Sequence, residues 1–105
     1  MKATTLTEVK RAVGAELLQG DPWVRVDRVA TDTRILKGGE LFFALRGERF
    51  DGHDFVDEAV GAGVAGLVVS RAISVPAGVP VMMVDDILRA LQGLARDNRR
   101  RCGLP

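Results

Sequence analysis

Leu41-Phe42-Phe43-Ala44-Leu45, then Asp51-Gly52-His53-Asp54-Phe55, then Val64-Ala65-Gly66-Leu67-Val68-Val69 are the segments whose reading decides the fold. The first is apolar at every position, as in a strand buried on both faces. From Asp51 the period changes. Phe55, Ala59 and Ala62 recur at helical spacing, Asp54, Asp57 and Glu58 take the solvent side, and Gly63 supplies a stop. Apolar residues without helical spacing return over 64–69. Strand, helix, strand implies a parallel pair joined by a right-handed crossover.

Working outward, Thr5-Leu6-Thr7-Glu8 matches a capping box, in which the Thr hydroxyl and the Glu carboxylate satisfy orphan amides. Leu6, Val9 and Val13 then share one helical face, and Gly14 ends it. After the turn signal Gly20-Asp21-Pro22, Val24 and Val26 alternate with Arg25 and Asp27 as in a half-exposed strand. The alternation slips at Val29, which predicts a bulge or bend before Asp32. Gly38-Gly39 marks another turn. Toward the C-terminus, 76–80 reads as loop and 81–84 as a short strand. Asp85 or Asp86 is positioned to cap a last helix whose buried stripe is Ile87, Leu88, Leu91, Leu94 and Ala95. The architecture expected is α/β: a small single domain over 1–105, with a mixed, partly parallel sheet flanked by helices.

Composition narrows the function. At 105 residues there is room for one modest core, and 47% hydrophobic with 28% charged residues is ordinary for a globular chain. A net charge of +1 gives no field to recruit nucleic acid or anionic membrane. No apolar run is long enough to span a bilayer, and Lys2 is followed by no apolar signal segment. The single cysteine, Cys102, excludes an internal disulfide framework and fits a reducing compartment, so a cytoplasmic location is expected. Arg99-Arg100-Arg101 reads as a solvated helix end favoured by the macrodipole rather than a nucleic-acid patch, because no aromatic residues interleave with it.

Catalytic constellations are missing. The lysines, Lys2, Lys10 and Lys37, do not follow the glycine spacing of a phosphate-binding loop, and one His and one Cys far apart build no zinc site. No catalytic residue is expected in this chain. A binding loop remains, Gly47-Glu48-Arg49-Phe50-Asp51-Gly52-His53. Its glycines permit close approach of a ligand to the backbone, and the planar fork of Arg49 matches phosphate or carboxylate. Phe50 either stacks on a base or covers the sheet edge. Asp51 reads first as an N-cap and His53 as a structural hydrogen-bonder. Arg34 either braces the loops by pairing with Asp32 or Asp51, or meets a ligand. The hydroxyl of Thr33 serves a strand-end amide or a ligand equally well.

Thr31-Asp32-Thr33-Arg34, followed by Gly39-Glu40-Leu41-Phe42-Phe43-Ala44-Leu45-Arg46-Gly47-Glu48-Arg49-Phe50-Asp51-Gly52-His53-Asp54-Phe55, resembles the N-terminal domain of the Mur ligase family. The resemblance continues through 63–71, Val84-Asp85-Asp86 and Ala90-Leu91. The wording of 47–51 leans toward members that join D-Ala-D-Ala to UDP-N-acetylmuramoyl-tripeptide. The Asp-Thr-Arg and Asp-Gly-His elements are shared with members that add the third stem-peptide residue.

The resemblance implies a cytoplasmic ligase of peptidoglycan precursor synthesis that uses ATP and magnesium and passes through an acyl phosphate. ATP and metal belong to a central domain, and a third domain closes over them. Both are expected to lie outside this chain, which is then inactive alone and holds the UDP end of the substrate. Carried over by position, Thr33, Gly47, Glu48, Arg49 and Phe50 resemble residues that contact uridine and diphosphate, with Asp32, Arg34, Asp51 and His53 as support. No metal ligand is implied here. Two other classes remain open: a free-standing nucleotide-sugar binding or regulatory module, and a protein-interaction module using the basic helix end.

Overall fold

The computed structural model describes residues 3–47 and 51–101, the last helix by its backbone alone from 97 onward. Strand β1 (Thr4–Thr5) leads directly into helix α1 (Leu6–Val13). Thr5 is the N-cap, its hydroxyl accepting from the Glu8 amide at 3.3 Å, while Glu8 Oε2 accepts from the Thr4 hydroxyl at 3.0 Å. Gly14 ends the helix at φ 68°, and its amide donates back to Lys10 O. Strand β2 (Glu16–Gln19) follows, then β3 (Arg25–Val26) and β4 (Val29–Ala30).

Strand β5 (Leu41–Phe43) precedes helix α2 (Val56–Gly61), and β6 (Gly66–Val69), β7 (Val81–Met83) and helix α3 (Ile87–Arg101) complete the chain. The main sheet runs β2-β7-β6-β5-β4. Strands β4 to β7 pair in parallel and β2 joins β7 antiparallel, while β1 and β3 form a separate antiparallel pair. The sheet is therefore mixed, with the expected parallel β5–β6 pair in register Leu41↔Gly66, Phe42↔Leu67, Phe43↔Val68.

Because side chains alternate across a strand, the wholly apolar strands feed two cores. Leu41, Phe43, Val68 and Met82 face one side, where Leu6 and Val9 of α1 and Ile87, Ala90 and Leu94 of α3 cover them. Phe42, Leu67, Val69 and Val81 face the other, under Val56 and Ala59 of α2.

Three details differ from the sequence reading. Strand β2 was not anticipated. As an antiparallel edge strand it leaves Glu16 and Leu18 exposed, so Glu16-Leu17-Leu18-Gln19 carries no run of apolar residues to announce it. The stretch around Val24 to Ala30 is not one bent strand but two, divided between the sheets after Val26. In α3, Asp86 is the cap, its carboxylate accepting from the Arg89 amide at 3.1 Å. The buried face is then Ile87, Ala90 and Leu94, whereas Leu88 is 54% exposed and Ala95 is exposed. Ile87→Ala is accordingly expected to cost about 2–5 kcal/mol. Leu88→Ala should stay within roughly 0.5 kcal/mol of the parent. Urea unfolding midpoints measure both, and equal losses would refute this orientation of α3.

Candidate functional site

Parallel strands end on one rim, and ligands of open α/β sheets gather there. The segments after β4, β5 and β6 meet at that rim: 31–35, 44–47 and Ser70-Arg71. After β4 the chain makes a single 3-10 turn, Thr33–Ile35, capped by Asp32, whose carboxylate accepts from the Arg34 amide at 2.9 Å. The same carboxylate takes the Arg34 guanidinium at 2.7 to 3.1 Å. That ion pair holds the Asp32 carboxyl below the usual range. Arg34 thus braces its own loop and does not reach Asp51.

After β5, the Leu45 amide donates to Phe43 O at 2.8 Å, a tight turn that ends the strand and leaves Leu45 half-buried on the rim. Arg46 and Asp51 pair as an isolated antiparallel bridge, and the Gly52 amide donates to Leu45 O at 2.9 Å. These bonds close a neck with Gly47 on its near side. Glu48, Arg49 and Phe50 lie outside the described residues, as do the side chains of Arg99, Arg100 and Arg101. Gly52 cannot carry a side chain, because a Cβ there would lie 2.8 Å from the backbone of Ala44 and Leu45.

Asp51 caps the 3-10 turn Gly52–Phe55 by accepting from the His53 amide at 2.9 Å. His53, only 5% exposed, closes a polar chain beneath the rim. Its Nε2 accepts from the Ser70 amide at 3.0 Å, so the ring proton sits on Nδ1 and is donated to Asp51 Oδ1 at 2.6 Å. Arg71 approaches the other Asp51 oxygen at 3.3 Å. The His53 amide is the main cause that holds the Asp51 carboxyl below its usual value, with the His53 ring and Arg71 adding to it against the effect of burial. Asp51 and His53 therefore tie the end of β6 to the neck of the loop after β5, the structural roles read for them in the sequence.

A groove of about 360 Å³ opens beside this neck. Its floor is apolar: Phe42, Leu45 and Phe55. Its polar wall is Thr31, Asp32, Thr33, Arg34 and Glu58. The Thr33 hydroxyl donates to Glu58 Oε2 at 3.0 Å, joining the loop after β4 to helix α2 across 25 residues. Of the expected site residues, Asp32, Thr33 and Arg34 line the groove, Asp51 and His53 lie behind it, and Gly47 is exposed at the loop neck. Phe55 and Glu58 were read only as helix positions. Phe55 ends the 3-10 turn and Glu58 lies in the first turn of α2, so the junction of the two turns brings them to the same groove.

The model for the Mur ligase family, catalytic domain, matches residues 25–99. The chain belongs to the Mur ligase family. It is 52% identical over 69 residues to the UDP-N-acetylmuramoyl-tripeptide–D-alanyl-D-alanine ligase of Bacillus subtilis, covering 65% of this chain and 15% of that one. It is also 48% identical over 64 residues to the UDP-N-acetylmuramoyl-L-alanyl-D-glutamate–2,6-diaminopimelate ligase of Geobacillus kaustophilus, covering 61% and 13%. A crystal structure of MurF from Acinetobacter baumannii superposes with a TM-score of 0.86 at 29% identity over 96% of this chain and 22% of that one. This Mur ligase chain thus spans less than a quarter of the length of each of these proteins.

One buried carboxylate of this family domain was not singled out from sequence. Glu40, 4% exposed, accepts from the amides of Lys37 and Gly38, each at 2.8 Å, and sits 3.8 Å from Arg28. It rigidifies the turn between the groove loop and β5. The Lys37 amide is the main cause holding its carboxyl below the ordinary 4.5, as Asp51 is held below 3.8. Both groups fold as carboxylates, so the stability they add is complete above those ordinary values and is lost as pH falls through the lower folded ones. Urea titrations between about pH 6 and pH 2 should show this acid loss, and Glu40→Gln should flatten part of it. At neutral pH the same variant is expected to lose about 1.5–3 kcal/mol, and an unchanged acid slope would exclude the role given to Glu40.

Proposed function

We propose that this chain is the substrate-anchoring domain of an ATP-dependent ligase that adds D-alanyl-D-alanine to UDP-N-acetylmuramoyl-tripeptide. Such a ligase works in peptidoglycan precursor synthesis in the cytoplasm. The observation that carries the reading is the groove at the ends of β4 and β5, formed within the segment of family likeness and reaching Leu45. An apolar floor beside a hydroxyl suits a nucleotide, whose flat base has faces to bury, and Arg49 is the guanidinium proposed for its diphosphate. Thr33, Gly47, Glu48, Arg49 and Phe50 are the proposed contacts to UDP, with Asp32, Arg34, Asp51 and His53 holding them.

ATP and magnesium do not fit the residues present. The chain has no glycine-lysine phosphate loop, and the described residues hold no cluster of three His, Cys, Asp or Glu able to bind a metal. Activation and amide-bond formation are assigned to the central and C-terminal domains of the ligase. By itself the chain should bind the substrate end and hydrolyse no ATP. No helix among the described residues is long and apolar enough to cross a membrane. The likeness to the diaminopimelate-adding ligase favours a second reading, in which the third stem-peptide residue is joined instead. Assaying the intact ligase with D-Ala-D-Ala and with diaminopimelate separates the two.

Binding is tested by titrating the chain with UDP and following backbone amide resonances. Thr31, Asp32, Thr33, Arg34 and Gly47 should shift at millimolar ligand, and Thr33→Val should weaken the affinity by about tenfold. Silence at all five positions would remove the site.

A further inference from the structure

The groove's hydrogen-bonding character is uneven in a way that the proposed UDP site does not by itself require. The Arg34 guanidinium carries N–H donors and is already paired with Asp32. Thr33 donates its hydroxyl hydrogen bond to Glu58. Its oxygen retains only lone pairs, and an ionised carboxylate also accepts only. Thr33 and Glu58 together make an acceptor-only corner above the apolar floor of Phe42, Leu45 and Phe55. A phosphate cannot settle in that corner, since it would set anion against anion. A ligand group that does settle there must donate.

We infer that Glu58 is a specificity-determining residue that accepts the ring imide N–H of uracil, so that the groove reads the base through the Thr33–Glu58 pair. The inference rests on the proposed UDP site. The imide N–H is the single donor on the uracil ring, and the apolar floor takes the ring face. Cytosine presents a lone pair at the same ring position and turns it toward the carboxylate. An acceptor left facing a lone pair forfeits its hydrogen bond and adds repulsion, and both disfavour the wrong base. Glu58 is exposed on α2 and its substitution removes no core contact, so variants there remain folded.

The test titrates the chain, and its Glu58→Gln and Glu58→Ala variants, with UDP, CDP and 2′-deoxy-UDP, reading the amides of residues 31–34 and 58. The parent should prefer UDP over CDP by about tenfold. Glu58→Gln, whose amide offers both a donor and an acceptor, should bring the two within about twofold, and Glu58→Ala should weaken UDP more than CDP. Equal binding of UDP and CDP by the parent, or an undiminished preference in Glu58→Gln, overturns the role of Glu58 while leaving the UDP site standing. If instead 2′-deoxy-UDP binds weakly to the parent and that penalty vanishes in Glu58→Gln, the carboxylate reads ribose and the base assignment falls. If none of the three nucleotides moves these amides, the UDP site and this inference fall together.

Discussion

Leu41, Phe42, Phe43 and Ala44 have no face turned to solvent, and that constraint organises the domain. A strand apolar on both sides needs a helical layer above and below it, and it needs neighbours along both edges to satisfy its amides. Helices α1 and α3 supply one layer and α2 the other, while β4 and β6 flank the strand in parallel. Parallel neighbours bring their C-terminal ends to one side. The groove is a consequence of that burial: the loops that form it are where the buried strands come to the surface.

What keeps those loops in place is polar rather than apolar. The Asp51–His53–Ser70 chain, the Glu40 turn and the Arg46–Asp51 bridge each replace water with a defined partner at the point where the apolar core stops. Burying such groups is tolerable because each acceptor finds a backbone amide or a ring N–H. His53 illustrates the economy: one ring accepts from the Ser70 amide just after β6 and donates to Asp51 in the loop after β5, so a single side chain joins two strand ends.

The elements with uninterrupted apolar runs or strong caps were legible in the sequence. Strands β5, β6 and β7, helix α1 and the Asp51 cap appear where the residue pattern puts them, and the family was recognisable from residues 31–55. Strand β2 was not, because an edge strand half in water has no pattern stronger than its tertiary partner β7. Leu88 misled because apolar spacing on a helix cannot say which of two adjacent residues the sheet will cover. Glu40 stood in the sequence only as part of the family motif, since nothing local announces that its carboxylate serves two amides. The Thr33–Glu58 and His53–Ser70 bonds join residues 25 and 17 positions apart, which is information that only the fold brings together.

The closed neck at Arg46 and Asp51 has an evolutionary corollary. Gly52 has no room for a Cβ, Asp51 both caps its turn and receives the His53 ring, and that ring also accepts from the Ser70 amide. Those three positions answer to the frame before they answer to any ligand, so natural variation there is filtered first by stability and only then by recognition.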